Sequence, residues 1–96
     1  MIQRFGDDFT PDIYNGVASA RTRRFPAGLL PIARRKLDML NAATTLQDLA
    51  SPPGNRLEAL KGAYAGYYSV RINQQWRIIF RWTAGGPELV QIIDYH

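Results

Sequence analysis

The chain has 96 residues, a net charge of +4 and no cysteine, which excludes disulfides and thiolate metal sites. Ten of its twelve basic residues are arginine, whose planar fork suits phosphate better than lysine's point charge and favours a nucleic-acid partner. No run approaches the ~20 apolar residues of a membrane span, and the early Asp7 and Asp8 do not fit a signal peptide or presequence.

One domain over residues 1–96 is the expectation, burying about 60–70% of the unfolded chain's surface. A reducing compartment costs a cysteine-free chain nothing, so the expected location is cytoplasmic.

Met1–Phe5 reads as a short first strand ended by Gly6. Asp7–Asn15 predicts a short helix capped at Asp8 or Thr10, with Pro11 near its first turn. The clearest helix follows Phe25-Pro26. Leu29, Ile32, Ala33, Leu37 and Leu40 form one stripe, while Arg34-Arg35-Lys36 and Asp38 read as its polar side. Pro31 must then lie in the first turn. Thr45–Leu49 predicts one more helical turn capped by Thr44 or Thr45, and Ser51–Asn55 a loop.

From Arg56 the period changes to alternation. Strands are expected at Arg56–Leu60, Tyr67–Ile72, Trp76–Trp82 and Glu88–Asp94. The connections are Lys61–Gly66, Asn73-Gln74-Gln75 and Ala84–Pro87. Such short connections give an antiparallel meander. The expected fold is α+β: a four-stranded antiparallel sheet, plus the short N-terminal strand, packed on one face by the N-terminal helices.

Within the third of these strands, Trp76, Ile78, Phe80 and Trp82 point one way and Arg77, Ile79 and Arg81 the other. The apolar set should meet the long helix. Arg77 and Arg81 then face solvent, joined by Arg71 if it shares their orientation, giving a basic surface for an RNA backbone.

Metal-free RNA cleavage needs a base for the 2′-oxygen, cations for the phosphorane, an acid for the leaving 5′-oxygen, and in-line positioning. Lys61 and Arg77 are candidate cations, and Asp94 and His96 candidate proton carriers. Tyr95 could stack on a base or bond a phosphate. His96 is the chain's single histidine, and its side chain titrates near neutrality. The adjoining α-carboxylate favours its imidazolium form.

The runs Leu60-Lys61-Gly62, Gly66-Tyr67-Tyr68-Ser69-Val70-Arg71-Ile72, Gln75-Trp76-Arg77-Ile78 and Asp94-Tyr95-His96 resemble the HigB toxin group of the RelE/ParE superfamily. The resemblance covers most of the chain. It implies a RelE-like fold and a ribosome-dependent endoribonuclease that cuts messenger RNA in the ribosomal A site and arrests growth. It also implies neutralisation by a helix-turn-helix HigA-type antitoxin, and no cofactor or metal. By motif match, Lys61 and Arg77 would contact the scissile phosphate, Gln75 would fill a polar position often held by Asn, and Asp94, Tyr95 and His96 would complete the site. Some members carry a histidine three residues before the lysine. Here that residue is Glu58, which reads either as a base or, preferably, as an ordinary exposed strand residue.

Each residue also has a plain structural reading. His96 would be a frayed terminal residue, Lys61 a loop lysine and Tyr95 an aromatic finishing the sheet. Arg71 and Arg81 suit general electrostatic contact with RNA. Tyr64, Tyr67 and Tyr68 read as core or rim packing. The Arg21-Thr22-Arg23-Arg24 run reads as a solvated loop that could touch ribosomal RNA. Two other functions fit the same superfamily: a ParE-like DNA gyrase poison, and a non-catalytic corepressor that only binds its antitoxin. The Asp94-Tyr95-His96 tail argues against the gyrase reading, since a gyrase binder has no need of an imidazole there.

Overall fold

Helical spacing in the first half and alternation in the second produce a helical layer on one face of an antiparallel sheet. The computed structural model describes residues 1–50 and 55–95. Helix α1 spans Phe9–Asn15 and α2 spans Leu30–Ala42. Strands β1 (Glu58–Ala59), β2 (Tyr68–Arg71), β3 (Trp76–Thr83) and β4 (Gly86–Asp94) pair in sequence order, all antiparallel. The expected Ser51–Asn55 loop lies outside the described residues, Asn55 excepted.

The start of α1 departs from expectation in its capping bond. Asp8 holds the N-cap position as expected but makes no capping bond with its side chain; instead the Asp7 carboxylate accepts the Thr10 N–H at 2.9 Å. Thr10 is fully buried, and its hydroxyl accepts the Ile92 N–H at 2.8 Å, tying α1 to β4. Gly16, in the left-handed region at φ 72°, closes the helix.

Pro31 sits in the first turn of α2, where its missing N–H costs nothing. Ala33, Leu37 and Leu40 are buried against Val70, Ile78, Phe80, Val90 and Ile92. Lys36 corrects the expected polar face, because it is only 8% exposed. Its stem lies along apolar surface while its ammonium donates to the Arg71 carbonyl at the end of β2. Burial, and then the nearby Arg35 and Arg71 charges, lower its pKa from the usual lysine value. Beyond α2, residues Leu46–Ala50 form a 3-10 turn with a reciprocal cap. Asp48 accepts from the Thr44 and Thr45 N–H groups, and its own N–H donates to the Thr45 hydroxyl at 3.3 Å.

Several boundaries differ from expectation. The first strand shrinks to Glu58–Ala59 because Arg56 adopts a left-handed φ of 47°, which no extended run tolerates. The last turn shrinks to Ala84-Gly85, since Gly86 and Pro87 already pair with β3. The N-terminal segment is a parallel companion of β4 rather than a full strand. It makes one bridge, Phe5 to Val90, with the Gln3 and Gly6 N–H groups donating to the Pro87 and Val90 carbonyls.

The alternation in β3 runs as expected on the helix side. Ile78 and Phe80 are fully buried under α2, with Trp76 and Trp82 half-buried beside them. Phe25 meets Trp76 edge-on at 4.9 Å between ring centres. Between Glu88 and Gln91, β4 carries one extra residue relative to β3, and Leu89 there takes a left-handed φ of 52°. This bulge bends the strand along the helical layer.

Candidate functional site

Cross-strand pairing decides which side chains can meet. Arg77 lies directly opposite Arg71 on β2 and Ile93 on β4, and Ser69 lies opposite both Ile79 and Glu58. Directly paired residues share a face, so Glu58, Ser69, Arg71, Arg77, Ile79 and Ile93 belong to the face away from α2. The expectation that Arg71 shares the orientation of Arg77 holds.

The expectation that Arg77 faces solvent does not. Arg77 is 8% exposed and Ile79 1%. The reason is local cover that alternation cannot show. The Tyr95 ring lies over the guanidinium at 4.4 Å, the Ser69 hydroxyl accepts from Nη1 at 3.2 Å, and the Glu58 carboxylate stands 3.6 Å from Nη1. Tyr64 packs against Tyr95 at 6.5 Å and Tyr67 at 6.2 Å. Tyr67 in turn lies 5.7 Å beneath the exposed Arg81. A tyrosine canopy therefore closes over what the sequence suggested was open.

Two features make this cluster electrostatically incomplete. Cross-strand like charges such as Arg71 and Arg77 repel, and a half-exposed carboxylate at 3.6 Å offsets only part of that repulsion. The Nε groups of both arginines are also buried without a hydrogen-bond partner among the described residues. Buried donors are normally paired, so the cluster suits an anion that accepts from both forks.

The remaining expected residues divide. Tyr95 is held in place because its N–H donates to the Gln75 carbonyl at 2.7 Å, which fixes the tail against the turn between β2 and β3. Asp94 pairs with Trp76, so its side chain leaves the sheet on the opposite face from Arg77. There the Gln75 amide donates to it at 3.0 Å. Lys61 is exposed at the start of the 3-10 turn Gly62–Tyr64, the turn that carries Tyr64 into the canopy. His96 lies outside the described residues.

Ser69, Tyr64 and Tyr67 carry no site signal of their own in the sequence, and Glu58, readable there as a base but preferably as an ordinary strand residue, stands 3.6 Å from Arg77. Ser69 was findable, because it shares a strand and a phase with Arg71. The tyrosines were not, since they arrive from a connection and not from the alternating pattern. Tyr68 stacks on Phe80 within the core, as expected of a packing residue.

Residues 3–96 match a family described as the RelE-like toxin HigB of type II toxin-antitoxin systems. Toxin HigB-1 of Vibrio cholerae serotype O1 is 39% identical over 85 residues, covering 88% of this chain and 87% of that protein. Endoribonuclease HigB of Proteus vulgaris is 31% identical over 61 residues, 64% of this chain and 65% of that one. Among solved structures, a chain of the YoeB-YefM complex from Staphylococcus aureus superposes with a TM-score of 0.61 at 16% identity, covering 100% of this chain and 98% of that one. YafQ from E. coli strain BL21(DE3) gives 0.60 at 19% identity, with 98% and 91% covered. The structural likenesses establish a shared fold. The family match and the 39% relative make this chain a member of the HigB-like family of RelE-like toxins from type II toxin-antitoxin systems.

Proposed function

We propose that this toxin is a ribosome-dependent endoribonuclease that cuts messenger RNA by metal-independent attack of a 2′-hydroxyl on its neighbouring phosphate. The observation that carries the reading is Arg77: a buried guanidinium, stacked under Tyr95, whose Nε, like that of Arg71 beside it, has no hydrogen-bond partner among the described residues. Such a fork is pre-organised for a phosphate whose negative charge grows as the phosphorane forms.

In this scheme the P–O2′ bond forms as a base takes the 2′ proton. The P–O5′ bond then breaks as an acid protonates the leaving oxygen. Glu58 is the better-placed base, being half-exposed and next to Arg77, whereas Asp94 leaves the other face of the sheet. His96 serves as the acid, with Lys61 adding charge near the phosphate. Asp94, held by Gln75, orients the tail that carries Tyr95 and His96. Arg81, over Tyr67, contacts the RNA backbone. This set is poor in strong acid–base groups, so ribosomal RNA supplies much of the positioning. The neutralising partner is a HigA-type helix-turn-helix antitoxin.

The test is to map transcript 5′ ends after brief induction of wild type and Arg77→Ala, with Arg77→Lys as a milder variant and thermal melting as a folding control. Codon-phased cuts that vanish in a folded arginine variant are expected. Absence of toxin-dependent cuts in the wild type would end the nuclease reading, cuts persisting in both variants would end the mechanism centred on Arg77, and cuts out of phase with codons would end the ribosomal one.

A further inference from the structure

We infer that the cleft between α1 and the start of α2 is a docking site for an acidic segment of a partner protein, which inserts one bulky aliphatic side chain. The cleft encloses about 370 Å³, with walls that include Ile13, Val17, Ala18, Phe25 and Leu30. Val17 is 50% exposed, a large aliphatic group left in water at the mouth. Arg23 and Arg34 complete the lining on the basic side, and Asp12 is the one acid there.

Charge identifies the occupant. Between Gly16 and Lys36 the chain carries Arg21, Arg23, Arg24, Arg34, Arg35 and Lys36 and no acidic residue. Arg21 is offset by Asp8 at 3.9 Å, and Lys36 is buried. Arg23, Arg24 and Arg35 make no ion pair among the described residues. Arg34 is held at the cleft because its Nε donates to the Ile13 carbonyl at 2.9 Å. An apolar slot bordered by Arg23 and Arg34, neither of them in an ion pair among the described residues, complements an aliphatic anchor flanked by carboxylates. Nucleic acid fits less well, because single strands bind through exposed aromatic platforms, and the one aromatic wall, Phe25, is 3% exposed.

The cleft lies in the helical layer, across the sheet from Arg77. Its occupant leaves the Arg77 cluster uncovered, and the inference does not rest on the nuclease reading. Peptide display tests it, with the full chain as bait for a random 16-residue library, followed by titration of the enriched peptides. The expected motif is Leu, Ile or Met flanked by Asp or Glu. Val17→Asp and Arg23→Glu should each weaken binding by about tenfold or more, and replacing the peptide's acids with lysine should abolish it. Both positions are exposed, and Arg23→Glu carries the test if Val17→Asp melts early. Failure to enrich acidic peptides, or unchanged binding by both variants, would overturn the inference. So would a uridine-rich single-stranded RNA bound in place of peptide and weakened by the same variants.

Discussion

The guanidinium of Arg77 lies 4.4 Å beneath the ring of Tyr95, so a residue in the tail roofs a residue in the central strand. Tyr95→Phe should preserve the stack and most of the activity. Tyr95→Ala should cost about 1 kcal/mol of stability and uncover Arg77. Thermal unfolding and transcript cleavage measured on both variants check this. Equal behaviour of the two would show that the ring does nothing for the arginine.

The Thr10 hydroxyl accepts the buried Ile92 N–H at 2.8 Å. Thr10→Val keeps the shape but orphans that donor, at about 1–3 kcal/mol. Thr10→Ser keeps the acceptor and loses a methyl group, at about 1 kcal/mol. Urea unfolding should therefore rank wild type above the serine variant and the valine variant last.

Lys36 sits in a place that disfavours charge, chiefly through burial and then through the Arg35 and Arg71 charges. Its folded pKa lies below the unfolded 10.5, so in the window between them the unfolded chain binds more protons. Stability conferred at this site therefore rises with pH there. Lys36→Met should remove that rise and shift stability at neutral pH by no more than about 1 kcal/mol, since the lost bond to Arg71 offsets the relief. Urea midpoints taken across the alkaline range below pH 10.5 read the slope.

Asp48 shows the opposite sign. Hydrogen bonds from the Thr45 and Thr44 backbones, then from the Thr44 hydroxyl, hold its carboxyl below the usual 3.8. A depressed carboxyl stabilises the fold above its unfolded pKa, and that stabilisation fades as pH falls through the folded value. Asp48→Asn should melt lower than wild type at neutral pH, with the two curves converging in acid. Parallel curves would mean that the carboxylate is not the cap.

The helical stripe around Ala33, Leu37 and Leu40 and the alternation of Trp76–Trp82 were legible because burial imposes a strict period on each. The meander followed from connections too short to cross the sheet. What alternation could not give was cover. It assigned Arg77 to the right face, yet nothing in β3 announces that Tyr95, Tyr64 and Glu58 close over it. The buried Lys36 was illegible for a similar reason: its acceptor is a carbonyl on β2, and main-chain acceptors leave no mark in a residue pattern. The motif ending in Asp94-Tyr95-His96 groups Asp94 with Tyr95, whereas neighbouring positions along an extended chain leave it in opposite directions.

The contacts of Phe5 with Val90 and of Thr10 with Ile92 join segments more than eighty residues apart. Non-local contacts of this kind form late, because the chain between them must be ordered before they return any stability. A nascent chain that has released only its first eighty-odd residues lacks β4, so it has neither a partner for its N-terminal segment nor a lid over Arg77. Assembly of the cluster is thereby deferred until β4 and Tyr95 have left the ribosome, and with them the Arg77 guanidinium gains its cover.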